Sequence, residues 1–158
     1  MHRIGIISDT HGLLRPEATA ALAGSDHIIH AGDIGDASIL EALRKIAPVS
    51  AVLGNCDSTM DLPGVAETEG VEFGGILLYV LHDLGELDLN PRVAGFAAVI
   101  SGHTHKPRTV EHDGVLYVNP GSAGPRRSDL PASVGLLRIE DGQVHAELIE
   151  LACEPPEF

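Results

Sequence analysis

Residues 4–12, Ile4-Gly5-Ile6-Ile7-Ser8-Asp9-Thr10-His11-Gly12, form an apolar run that ends on a carboxylate and an imidazole two positions apart. Four later stretches repeat the arrangement. Gly32-Asp33 follows residues 28–31, Gly54-Asn55 follows 49–53, His82 follows 76–81, and Gly102-His103-Thr104-His105 follows 97–101. A short apolar run bounded by turn residues reads as a buried strand. Strands that end in hard or borderline metal ligands can gather them at one edge of a sheet.

Outward from these runs, the first 55 residues read as strand, helix, strand, helix, strand. Residues 16–23 predict a helix with Pro16 at its first position and Gly24 beyond its end, and residues 26–30 a second strand. Asp36 is placed to cap a helix over 37–46, with Arg44 and Lys45 in its last turn opposing the helix dipole and Pro48 stopping it. Residues 49–53 make the third strand.

The pattern then changes to short strands joined by tight turns. Runs 71–73 and 76–81 flank Gly74-Gly75, runs 110–112 and 115–118 flank Asp113-Gly114, and runs 133–139 and 144–151 flank Asp141-Gly142. One further helix fits around residues 88–96, with Pro91 leaving its start open. An α/β half followed by a hairpin-rich half, without linker or repeat, predicts one domain over 1–158, a sandwich of mixed sheets covered by helices. The tail 154–158, with two prolines, is expected to be loosely held.

Composition bounds the function. At 158 residues and 44% hydrophobic, one domain can bury a core without staples, and with 3% aromatics and no Trp that core is Ala, Val, Ile and Leu. A formal charge of −13 argues against nucleic-acid polymers, whose binding relies on Lys and Arg, and against anionic membranes. Scarce aromatics also leave little surface for stacking bases. The longest apolar run, 76–81, is far short of the roughly 20 residues of a membrane helix. Cys56 and Cys153 are the only cysteines, and residues 1–8 read as a strand rather than a signal peptide, so a cytoplasmic, reduced protein without a disulfide is expected.

Each motif alone has a plain alternative. Asp9 can sit in a turn with His11 on the surface, Asp33 can belong to a capped turn, and an Asn after a strand is commonly a turn residue. A lone His such as His82 is more often structural than a ligand. Gly102-His103-Thr104-His105 is sharper: in a continuing strand its imidazoles share one face, and in a loop they can diverge to two metals. The conjunction raises all five, since independent accidents do not place every such residue at a strand end.

The order Asp-x-His, Gly-Asp, Gly-Asn-x-Asp, His, Gly-His-x-His resembles the calcineurin-like metallophosphoesterases. Ser8-Asp9-Thr10-His11-Gly12, Gly54-Asn55-Cys56-Asp57 and Asn119-Pro120-Gly121-Ser122 resemble the small YfcE-type phosphodiesterase branch, and the resemblance spans about residues 3–140. It implies a four-layered αββα sandwich of two mixed sheets flanked by helices, carrying two divalent metals. By that resemblance Asp9, His11, Asp33 and His105 hold the first metal and Asp33, Asn55, His82 and His103 the second, with Asp33 bridging. The implied activity is a phosphodiesterase in which a metal-activated hydroxide attacks phosphorus in line, with Asp33, Asn55, Cys56 and His103 at the reacting centre. A ligand set without thiolates favours borderline ions such as Mn²⁺, Fe²⁺, Ni²⁺ or Zn²⁺ over a soft metal, and Mn²⁺ is the ion expected first. The expected partner is a small phosphoester, and self-association is left open.

Two positions depart from the wider family. Cys56 stands where many members have a histidine after Gly-Asn; its thiol, with an ordinary pKa near 8.5, can donate a proton to a leaving group or can simply pack beside the site. His82 lacks its usual following histidine, and Asp83 can orient an imidazole or cap the next turn. Residues 119–122 are expected to shape a turn beneath the metal loops, Arg126-Arg127 to be a solvated pair or a phosphate contact, and His2, His27, His30, His112 and His145 to be structural. Two rival readings remain: a phosphomonoesterase on a small nucleotide or sugar phosphate, and a non-catalytic scaffold like the retromer subunit of eukaryotes, which resembles this fold.

Overall fold

The computed structural model describes residues 1–125 and 130–151; Arg126, Arg127, Cys153 and the tail 154–158 lie outside the described residues. The α/β alternation of the first third forms β1 (His2–Ile7), α1 (Pro16–Leu22), β2 (His27–His30), α2 (Ala37–Arg44) and β3 (Val49–Ala51). β1, β2 and β3 are parallel neighbours. Asp36 caps α2 as expected, its carboxylate accepting from Ser38 N at 2.9 Å. The later runs form β4 (Thr68–Phe73), β5 (Ile76–Leu81), β6 (Phe96–Ile100), β7 (Arg108–His112), β8 (Val115–Asn119), β9 (Ser133–Glu140) and β10 (Gln143–Glu150). All three hairpin turns have positive φ at both central residues, the geometry that suits the right-handed twist of flanking strands.

Two mixed five-stranded sheets result, ordered β10-β9-β1-β2-β3 and β4-β5-β6-β8-β7. Strand periodicity decides which face meets which neighbour. Ile4 and Ile6 point between the sheets, where they pack with Ile29, Leu78, Val80, Ile100 and Leu137. Gly5 and Ile7 point the other way, and Ile7 joins Leu22, Leu40 and Leu43 under α1 and α2. The largest fully buried side chains are all Ile or Leu, as so aromatic-poor a chain requires. Burying each contributes roughly 1.5–3 kcal/mol.

The helix expected over 88–96 is the main correction. Only α3 (Pro91–Ala94) forms, because Asn90 caps it by accepting from Arg92 N and Val93 N and Gly95, at φ 89°, ends it one turn later. The fourth layer is therefore thin. Strand 49–53 also stops early at Ala51, with Val52 bridging only to Ala66. No helix among the described residues is long and apolar enough to cross a membrane.

In the second sheet β5, β6 and β8 run parallel to one another, as β1, β2 and β3 do in the first. Every ligand motif leaves the carboxyl end of one of these strands, the place where α/β sheets present their sites.

Candidate metal centre

The loops that leave the strands are paired by their own backbones. Asp9 N donates to the Gly32 carbonyl at 3.0 Å, His11 N to Asp33 at 2.9 Å and Gly12 N to Ile34 at 2.8 Å, so the β1 and β2 loops run on side by side. Gly102 N donates to the His82 carbonyl at 3.0 Å and ties the β6 loop to that of β5. Asp9, His11, Asp33, His103 and His105 all have positive φ, between 47° and 73°. Each such conformation in a non-glycine residue costs on the order of 1 kcal/mol and persists only where the surroundings fix it. Two motif glycines are required by close approach: a Cβ on Gly54 would overlap the Asp33 carboxylate, and one on Gly102 would overlap Ser8 Oγ.

Asp9 Oδ1 lies 3.7 Å from His11 Nε2, 3.3 Å from His105 Nε2 and 3.8 Å from His82 Nε2. Asp33 Oδ2 lies 3.6 Å from His11 Nε2 and 3.2 Å from His82 Nε2, so one oxygen faces ligands from both halves of the predicted set. The outer atoms are occupied elsewhere. Asp9 Oδ2 accepts from Ser8 Oγ at 2.7 Å and His103 N at 3.1 Å, and Asp33 Oδ1 accepts from Cys56 N at 2.9 Å. His82 Nδ1 donates to the Ala31 carbonyl at 2.7 Å, which leaves the Nε2 lone pair aimed into the cluster.

Asn55 and His103 stand at the rim, where His103 Nδ1 meets Asn55 Oδ1 at 3.2 Å. Cys56 is exposed beside them; its Sγ lies within 4.8 Å of ligand atoms of His11 and Asp33. The seven predicted metal residues and Cys56 are thus brought to one place.

Charge in the cluster favours a cation. Burial pushes the Asp33 carboxyl up, but the His82 imidazole 3.2 Å away, the Cys56 N–H and the nearby His11 outweigh it, holding the group well below the usual carboxylate range. Burial pulls His82 down, yet Asp33, the Ala31 carbonyl and Asp9 raise it overall. Burial and the Asp33 charge raise the Cys56 thiol and keep it protonated.

Three supporting groups complete the floor. Asp57, fully buried, accepts from Ile34 N at 3.0 Å, Gly35 N at 3.2 Å and Gly54 N at 2.9 Å, joining the loops that carry Asp33 and Asn55. His30 accepts from Gly32 N at 3.1 Å and meets Thr10 Oγ1 at 3.0 Å; Thr10 in turn donates to Ile34 O at 2.8 Å. Gly-Asn-x-Asp and the short spacing from His30 to Asp33 were the available sequence signals for these two. Asn119 Nδ2 donates to Gly102 O at 3.0 Å and Thr104 Oγ1 at 3.1 Å, and Ser122 Oγ to Asp9 O at 3.1 Å. Residues 119–122 therefore brace the loops, and Ser122 is spent on backbone rather than facing a phosphate. Asp83 both caps, accepting from Gly85 N at 2.9 Å, and faces His103 Nε2 at 3.9 Å.

The fold and this edge cluster define a metallophosphoesterase-type α/β sandwich. The family model of the calcineurin-like phosphoesterase superfamily domain matches residues 2–142, and the chain belongs to that superfamily. A probable metallophosphoesterase of Methanocaldococcus jannaschii is 37% identical, over 94% of this chain and 81% of the relative. Among solved structures, an archaeal phosphodiesterase matches at TM-score 0.76 with 23% identity, covering 93% of this chain and 99% of its own. YfcE, a phosphoesterase from E. coli, matches at 0.68 with 22% identity over 94% and 99%. Vps29 from Entamoeba histolytica complexed with Zn²⁺ matches at 0.72 with 25% identity over 94% and 98%.

Proposed function

We propose that the protein is a phosphodiesterase that holds two divalent cations, Mn²⁺ first among them, on either side of Asp33. One observation carries the reading: Asp9 Oδ1, His11 Nε2 and His82 Nε2 are buried and lack hydrogen-bond partners, and both nitrogens lie within 4 Å of that oxygen, at 3.7 and 3.8 Å. A buried polar atom left without a partner costs about 1–3 kcal/mol, and cations bound in this cluster would satisfy all three. Carboxylate, amide and imidazole donors suit borderline divalent ions. Asp9, His11, Asp33 and His105 would hold the first ion, and Asp33, Asn55, His82 and His103 the second.

When bound, such ions make a water nucleophilic enough for in-line attack on phosphorus and neutralise the phosphoryl charge. The chain's own residues do the rest. Ser8 Oγ and His103 N occupy one oxygen of Asp9 and turn the other inward; Cys56 N does the same for Asp33. The protonated Cys56 thiol would donate to the leaving oxygen, and as a weaker donor than imidazolium it would favour good leaving groups. An exposed thiol at the site fits a reducing, cytoplasmic location.

The test is hydrolysis of bis-p-nitrophenyl phosphate against p-nitrophenyl phosphate, after chelation and readdition of Mn²⁺. Restored activity with the diester preferred is expected. A monoester preference would make the protein a phosphomonoesterase, and inactivity on both would favour a scaffold role.

A further inference from the structure

The thin fourth layer leaves a groove on the outer face of the second sheet, directly behind the loop that carries His103 and His105. It encloses about 620 Å³, and Gly102 and Thr104 of that loop form one wall. This volume lies within the range of small-molecule sites. Leu84, Val110 and Tyr117 supply apolar walls, and Lys106 and Arg108 supply the charge. The loop wall is firm, because Asn119 donates to both Gly102 O and Thr104 Oγ1.

In a chain with 10 Lys and Arg against 23 Asp and Glu, Lys106 and Arg108 both line this groove, and neither has a carboxylate partner among the described residues. Two cations gathered beside an apolar groove and the proposed phosphoester site offer charge complementarity to an anion.

We infer that this groove receives the far substituent of the substrate, a flat apolar body laid against Tyr117 and Val110 that ends in a second anionic group held by Lys106 and Arg108. The inference rests on the phosphodiesterase reading above and adds a substrate class to it, a diester carrying an aryl or nucleobase-like group and a further phosphate or carboxylate.

Two p-nitrophenyl esters of thymidine 5′-phosphate, with and without a 3′-phosphate, share one leaving group and differ only in that anion. With the Mn²⁺-loaded protein the 3′-phosphate is expected to lower KM about tenfold, and in Lys106→Ala/Arg108→Ala the ratio of the two KM values should fall to about one. Equal KM values in the parent protein, or an advantage that survives the double substitution, would overturn the inference. Calorimetry of metal-free protein with thymidine 3′,5′-bisphosphate decides independently of catalysis: binding that the double substitution removes is expected, and its absence counts against the groove. If bis-p-nitrophenyl phosphate is not hydrolysed at all, the phosphodiesterase reading fails while this binding arm still judges the groove. Sedimentation showing a dimer that the double substitution dissociates would assign the face to a second copy instead.

Discussion

The floor and the rim of the candidate metal centre are built differently. On the floor Asp9, Asp33, His82 and His105 are at most 5% exposed, and the atoms of Asp9, Asp33 and His82 that face away from the cluster are engaged by Ser8, Cys56 N and Ala31. At the rim the His103 side chain is 43% exposed and is steadied mainly by Asn55. Ligands already fixed by packing lose little freedom on binding, whereas mobile ones must be ordered when the ion arrives. The first proposed metal draws three of its four ligands from the floor; the second needs both rim residues. The two sites should therefore differ in affinity, the second being the weaker.

Asp33→Ala is the strongest way to break this comparison, because it removes the group assigned to both proposed sites. Loss of at least 10³-fold in diesterase activity and of both bound metals is expected, read by kinetics and by metal analysis of the purified protein. A variant that keeps one full equivalent of metal would show that Asp33 is not shared.

Rim substitutions should sharpen it. Asn55→Ala and His103→Ala are expected to lower metal content from two equivalents to one and activity by about 10- to 100-fold, in keeping with the weight of a single ligand or its support. His82→Ala, on the floor, should cost more than either. Equal losses from all three would erase the distinction between floor and rim.

Most of this site was legible in the sequence because its logic is local. An apolar run fixes the strand, a glycine permits close approach, and Asp9, Asp33 or His103 follows at once. The hairpins were equally local, each written in two residues such as Asp113-Gly114. What escaped depends on contacts between distant segments. Asp57 serves Ile34 and Gly54 through backbone N–H groups that carry no side-chain signature. Burial, too, is a property of the assembled sheets, so nothing in the chain separated buried His105 from exposed His103. The helix expected over 88–96 failed because the Asn90 cap and the Gly95 stop lie only five residues apart, leaving room for one turn.

The floor also has its own pH dependence. Burial drives the His30 pKa down to about 3, so between pH 6.5 and 3 the unfolded chain carries a proton on this ring that the native protein does not. Unfolding then takes up a proton, and native stability falls as pH falls, by about 1.4 kcal/mol per pH unit from this group alone. Denaturant unfolding of metal-free protein from pH 6 to 4 should show that slope reduced in His30→Gln. An unchanged slope would mean that His30 is not the group responsible.

Cys56 should give the smallest effect, and its size depends on the leaving group. Its backbone N–H, which holds Asp33 Oδ1, survives replacement by Ala, so only the thiol's contribution is lost. p-Nitrophenolate departs without protonation, and Cys56→Ala should change its release less than threefold. An alkoxide leaving group needs a proton as the P–O bond breaks, and there the same substitution should cost about tenfold or more. The difference between the two substrates, rather than either rate, tests the thiol. If both fall equally, Cys56 shapes the rim without donating; if neither falls, the rim needs no acid from this position.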